Sequence, residues 1–188
     1  MKINALNLRP GNVIDFNGKL WVILKAETLQ PGKGASVVQV EMRDIKAGTK
    51  DNVRFRTQET VEKAHVEEAD YQFLYSEEEK CHFMNTETFE QMEVDKELIG
   101  YPEVFLQEGM IVRIAQVEAK PVRVDLPENV TVEIVESEPV VKGQTASSSY
   151  KPAIADNGEK IMVPPHVEAG ARVVVKSRDG SYVEKAKD

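Results

Sequence analysis

Cysteine, histidine and aromatic residues are scarce in this chain. A single cysteine, Cys81, among 188 residues excludes an internal disulfide and fits a reducing compartment. Three histidines, His65, His82 and His166, stand far apart and show no metal-ligand spacing. Aromatics make up 6% of the chain, which does not favour a generic single-strand nucleic-acid binder built on stacking platforms. No apolar run approaches the roughly 18 residues that a membrane-spanning helix needs. Residues 1–7 lack the apolar stretch and small-residue cleavage site of a secretory signal. No glycine-rich phosphate cradle is present. These absences lead us to expect a cytoplasmic protein with no membrane contact, no metal and no cofactor; we also expect a monomer.

Charge is abundant but uneven. The net charge of -8 speaks against a simple nucleic-acid binder. Composition suggests boundaries after Lys63 and after Pro127. Residues 1–63 hold 11 basic and 7 acidic side chains, net +4. Residues 64–127 hold 5 and 15, net -10, and residues 128–188 hold 8 and 10, net -2. Three modules of about 60 residues follow, each small enough to be marginal alone.

Strand patterns dominate each module. Val13-Ile14-Asp15-Phe16 runs into Asn17-Gly18, a strong two-residue hairpin signal, and residues 20–24 follow as an apolar strand. Residues 36–42 and 53–56 are further strands, the latter alternating apolar and basic. Short β-branched strands with glycine turns predict a small SH3-like barrel. In the second module, residues 71–75, 81–84, 88–92, 110–114 and 121–124 read as strands. Residues 95–108 are the best helical candidate, broken by Gly100 and Pro102. One short helix among strands fits an OB-type barrel. The third module starts with the clean alternation of residues 130–136, followed by a polar loop at 142–150. Strands at 160–163, 172–176 and 182–183 suggest a second OB-type barrel.

Catalytic chemistry is hard to find. Cys81 is adjacent to His82, but neighbours on a strand point to opposite faces, so the pair reads as structural. The acidic residues of the middle module read as a solvated face. The segment Leu29-Gln30-Pro31-Gly32-Lys33-Gly34-Ala35 lies between two strands and is therefore a hairpin tip. Pro31 pre-sets one backbone angle, while Gly32 and Gly34 permit left-handed or otherwise unusual angles. Lys33 then projects between two residues without side chains. This suits a cation inserted into a narrow site, or an amine offered to a modifying enzyme. A solvated turn lysine is the bland alternative.

Three stretches occur together in the order of one family. They are the tip Pro31-Gly32-Lys33-Gly34, the run from Phe83 through Asn85-Thr86-Glu87-Thr88-Phe89 to Gln91, and a third-module series. That series is Lys151, Ala153, Gly158, Ile161, Val163-Pro164, Val167 and Gly170. On these residues the chain resembles the bacterial elongation factor P family along essentially its whole length. The hypusine-containing factors of eukaryotes and archaea are relatives of that family.

The resemblance implies an all-β protein of three barrels in an L shape. Residues 1–63 would be the SH3-like, KOW-type module, and 64–127 and 128–188 the OB-type modules. It implies binding to the 70S ribosome between the peptidyl and exit sites, with peptidyl-tRNA, ribosomal RNA and ribosomal proteins as partners. It implies stimulation of peptide-bond formation at consecutive prolines, without a catalytic residue. Lys33 would face the peptidyl-transferase centre and receive a group such as β-lysyl from a lysine-modifying enzyme. The family's third-module loop often reads Gly-Asp-Thr. Here it is Gly143-Gln144-Thr145, so Gln144 departs and leaves the detailed RNA contacts open. Tyr182 matches an aromatic position suited either to tRNA contact or to barrel packing. A paralogue with an unmodified tip, a generic OB-type RNA binder and a Cys81-dependent enzyme remain as alternatives.

Overall fold

The structure is a computed structural model, and it describes residues 1–139 and 149–187. Sixteen strands among these residues make three curled sheets. The first sheet contains β1 (Lys2–Asn4), β2 (Val13–Phe16), β3 (Lys19–Leu29), β4 (Val37–Asp44), β5 (Lys50–Arg56) and β6 (Thr60–Lys63). Its order is β1-β6-β2-β3-β4-β5. The second contains β7 (Glu67–Ser76), β8 (Lys80–Asn85), β9 (Gln91–Asp95), β10 (Ile111–Val117) and β11 (Lys120–Asp125), ordered β11-β10-β7-β8-β9. The third contains β12 (Asn129–Ser137), β13 (Lys151–Ala155), β14 (Lys160–Val163), β15 (Arg172–Lys176) and β16 (Tyr182–Lys185), ordered β14-β13-β12-β15-β16. The all-β expectation holds.

Contacts group the chain into two compact units. One is Met1–Ala69 with Ile114–Val124; the other is Asp70–Arg113 with Asp125–Asp188. The first unit has two apolar clusters. Leu8, Ile14, Trp21, Ile23, Val38, Val40, Met42 and Phe55 fill the curl of the first sheet. Val13 and Val22, on its other side, pack against Ala115, Val117 and Val122 of β10 and β11. That second cluster explains why part of the second sheet groups with the first. In the other unit, Val130, Val132, Ile134, Ile161, Val163, Val173 and Val175 form a core with Phe105.

Local chemistry accounts for the turns. Asn17 and Gly18 take φ values of 53° and 73°, so β2 and β3 are joined by the left-handed pair expected of a tight hairpin. Trp21 Nε1 donates to the Phe16 carbonyl at 3.0 Å, closing the same corner. The Asp44 carboxylate accepts from the Lys46 and Ala47 backbone N–H groups at 2.9 and 3.1 Å. Those bonds, Ala47 foremost, hold the Asp44 carboxyl below its usual range. The segment from Asp95 onward is two short pieces, a helix at Lys96–Ile99 (α1) and a 3₁₀ turn at Tyr101–Phe105. Gly100, with φ 76°, separates them, as the sequence predicts.

One strand assignment is corrected. Residues 88–92 do not form a continuous strand, because Thr88 and Phe89 belong to a turn. Asn85 Oδ1 accepts the backbone N–H groups of Glu87 and Thr88 at 2.8 and 3.0 Å, and Phe89 N–H donates to the Asn85 carbonyl at 3.0 Å. Phe89 takes φ 61° and is 68% exposed. A side-chain acceptor at Asn85 competes with the sheet ladder and wins locally. Strands β1 and β6 are too short to read from periodicity, and β13 carries Pro152, which does not mark a strand. Phe83, fully buried and 5.6 Å from the Phe73 ring, anchors the second sheet. Phe83→Ala is expected to lower unfolding free energy by about 3–5 kcal/mol in urea titrations followed by circular dichroism.

Candidate functional site

The tip is the end of the longest hairpin in the first unit. Ile23 is the last fully buried residue of β3, Ala26 still packs on the core, and Glu27, Thr28 and Leu29 are exposed. β4 returns at Val37, opposite Leu29. Between them the chain closes a turn in which Gly34 N–H donates to the Pro31 carbonyl at 3.1 Å. Pro31, Gly32, Lys33, Gly34 and Ala35 are all exposed. Lys33 stands at the third position of this turn, and no hydrogen bond or ion pair holds its amine among the described residues.

The reason for the glycines differs from the one expected. Neither Gly32 nor Gly34 takes a left-handed φ. A β-turn closed by a bond from residue four to residue one can be built with negative φ at both central positions. A Cβ on Gly32 would meet nothing within 4 Å, and one on Gly34 would reach only the Pro31 ring at 3.6 Å. What the two glycines supply is bareness: no neighbouring side chain covers Lys33.

The strand register adds cations that the sequence reading did not nominate. Val37 pairs with both Leu29 and Arg56, and Gln39 pairs with both Glu27 and Arg54. Arg54 and Arg56 therefore lie across β4 from the outer end of β3. Both are exposed, whereas Phe55 between them is 5% exposed. The alternation Val53-Arg54-Phe55-Arg56 was the available signal. What the sequence does not show is the antiparallel register that brings these arginines to the tip end of the sheet.

The other nominated residues lie elsewhere. Tyr182 belongs to the other unit, half-buried against the third-sheet core and edge-on to Tyr150 at 6.1 Å. Burial pushes its hydroxyl pKa up. Gly143, Gln144 and Thr145 lie outside the described residues. The third-module series is architectural. Ile161, Val163 and Val167 are buried, Gly158 and Gly170 take φ values of 85° and 93°, and Lys151 Nζ donates to the Glu138 carbonyl at 2.8 Å.

Cys81 and His82 form no nucleophile–base pair. Cys81 is fully buried, and burial pushes its thiol up to about 11. His82 stacks on Tyr75 with ring centroids 4.3 Å apart. Glu77 Oε2 lies 3.1 Å from His82 Nε2, an ion-pair distance, but the two are not aligned as a hydrogen bond. Among the described residues no three His, Cys, Asp or Glu side chains gather as metal ligands, and no helix is long and apolar enough to cross a membrane. A thiol reagent at pH 8 is expected to label Cys81 only after denaturant unfolds the protein, since thiolate forms only near pH 11. Rapid labelling of the folded chain would contradict this.

Comparison with known proteins places this geometry in context. Residues 4–61 match the family described as "Elongation factor P (EF-P) KOW-like domain". Residues 66–124 match "Elongation factor P (EF-P) OB domain", and residues 130–185 match "Elongation factor P, C-terminal". Elongation factor P of Rhodospirillum centenum is 52% identical over 188 residues, covering all of both chains. That of Methylorubrum populi is 54% identical over the same span, again covering all of both chains. Among solved structures, the eukaryotic translation initiation factor 5A from Methanococcus jannaschii aligns with a TM-score of 0.41 at 23% identity. That alignment covers 66% of this chain and 95% of that one.

Proposed function

The chain belongs to the elongation factor P family, and from that membership and the bare Lys33 tip we propose that it positions peptidyl-tRNA on the ribosome. As a translation elongation factor it acts with the ribosome. In our reading it binds the 70S particle between the peptidyl and exit sites through three modules, 1–63, 64–127 and 128–188. Lys33 reaches the peptidyl-transferase centre and steadies the CCA end of peptidyl-tRNA, so peptide-bond formation resumes at consecutive prolines. The single observation that carries this is the uncovered amine at the end of a sheet-supported hairpin, with Arg54 and Arg56 at the same end of the sheet.

Proline fixes one backbone angle and so places the reacting groups poorly. Misplacement by about 1 Å can cost on the order of 100-fold in rate. A factor that restores placement needs neither acid nor base. A cation on a supported tip does so by charge and hydrogen bonding to RNA phosphate and sugar. A lysine-modifying enzyme would acylate Lys33 Nζ with the activated carboxyl of a group such as β-lysine, the activating group leaving and Nζ giving up a proton. That replaces one ammonium by the two of the added group, set further out, and lengthens the reach. The +4 first module follows phosphate, and the -10 middle module faces basic ribosomal protein. Tyr182 and the 143–145 loop are assigned to RNA contact in the third module.

Three measurements test this reading. Lys33→Ala is expected to slow synthesis of proline-rich test peptides roughly tenfold or more in a reconstituted system, with messages lacking proline runs unaffected. Equal slowing of all messages would sink the assignment. The mass of the residue-33 peptide from the native host reports whether the lysine carries a group. Arg54→Ala with Arg56→Ala is expected to flatten the salt dependence of ribosome association, the log–log slope falling by about one for each phosphate no longer neutralised. An unchanged slope would remove these arginines from the RNA-facing surface.

A further inference from the structure

We propose that Arg123, far from the tip in sequence, is a positioning residue for Lys33, acting through a backbone joint at the root of β3. This rests on the reading of Lys33 given above. Arg123 lies on β11. Its Nη1 donates to the Gly11 carbonyl at 3.1 Å, and its Nη2 donates to Glu68 Oε1 at 2.6 Å. A guanidinium fork can hold a carbonyl and a carboxylate at once, which a lysine point charge does less well. At 30% side-chain exposure, these charge-assisted bonds are partly shielded from water.

Gly11 is built to receive this side chain. Its φ is +90°, and a Cβ there would lie 2.8 Å from Arg123 Cδ and 2.9 Å from Nη1. Any other residue at position 11 would be strained and would displace the guanidinium. From Gly11 the connection continues into β3. Gly11 N–H donates to the Ile23 carbonyl, and Ile23 N–H donates to the Asn12 carbonyl, both at 2.8 Å. The loop itself is braced, since Arg9 N–H donates to Asn12 Oδ1 at 2.8 Å and Asn12 N–H to the Arg9 carbonyl at 3.1 Å.

Beyond Ile23 the hairpin moves with the first sheet, since Ala26 and its β4 neighbours Val38 and Val40 pack on the same core. The β3–β4 register slips between Ile23 and Lys25, and such a bulge bends the strand and weakens the ladder. Six residues at about 3.3 Å each put Leu29 about 20 Å beyond Ile23. A tilt of about 3° at the root then shifts the tip by about 1 Å, the scale on which placement controls rate. The joint held by Arg123 thus sits at the short end of a long lever. The apolar contact of Val13 and Val22 with Val117 and Val122 holds the two surfaces together, and Arg123 sets the angle.

The test compares the unsubstituted protein, Arg123→Ala, Lys33→Ala and the double substitution in reconstituted synthesis of a proline-rich peptide at saturating factor. Arg123→Ala is expected to lower the maximal stimulation about tenfold, within the cost of a small misplacement. The double substitution is expected to be no slower than Lys33→Ala alone, because nothing remains to be positioned. In Arg123→Ala, amide exchange at Gly11 and Ile23 should quicken while Val173 and Val175 keep their protection. Undiminished maximal stimulation by Arg123→Ala, with Lys33→Ala slow, overturns this inference alone. So does a decrease that recurs in full in the Lys33→Ala background, which marks a merely structural role. Full speed from Lys33→Ala overturns the tip reading and this inference with it. If Arg123→Ala does not fold, Arg123→Lys serves, keeping the charge without the fork. A partial decrease is expected from it, and full stimulation overturns the proposal.

Discussion

A charge that no neighbour covers must be carried by a backbone that does not move, and in our proposal that duty falls on the two backbone hydrogen bonds at Ile23. They fasten β3 to the 9–12 loop at the last buried residue before the strand runs out into solvent. Beyond this joint Ala26 and its β4 neighbours Val38 and Val40 still pack on the first-sheet core, and the exposed tip with Lys33 lies past them. An amine on a free loop would spend most of its time elsewhere, and ordering it on arrival would cost entropy. Support by β4 and β5 along the length of the hairpin settles much of that cost in folding.

The same constraint explains how residues divide their roles. Those that make the family resemblance recognisable are mostly architectural. Gly158 and Gly170 turn the chain, Ile161, Val163 and Val167 fill a core, and Asn85 holds a turn through its side chain. Lys33 contributes nothing of this kind. A residue free of structural duty, kept bare by Gly32 and Gly34, is available for contact or modification.

Net charge and buried chemistry support the same view. The acidic total is concentrated in residues 64–127, while the tip end of the first sheet carries Lys33, Arg54 and Arg56. Cys81 is removed from chemistry by burial. In our proposal the protein contributes placement, and the ribosome's RNA contributes the reaction.

Much of the fold was legible in the chain because β-structure writes itself in period two. Residues 130–136 alternate cleanly, residues 20–24 and 172–176 are runs rich in apolar β-branched residues, and Asn17-Gly18 marks a turn by the φ values only such residues tolerate. The tip was legible because Pro, Gly, Lys and Gly between two strands leave few other options. Three things were not legible, each because it depends on residues far apart in sequence. The short strands β1 and β6, and β13 with its proline, exist only through their partners. Arg54 and Arg56 reach the tip only through the register of β4 with β5. Gly11 and Arg123 meet only because the apolar faces of the first sheet and of β10–β11 seek burial against each other. The sequence by itself determined which residues turn, which alternate and which lysine is bare. Tertiary structure alone decided what holds that lysine in place, because distant contacts are set by packing, which leaves no local pattern.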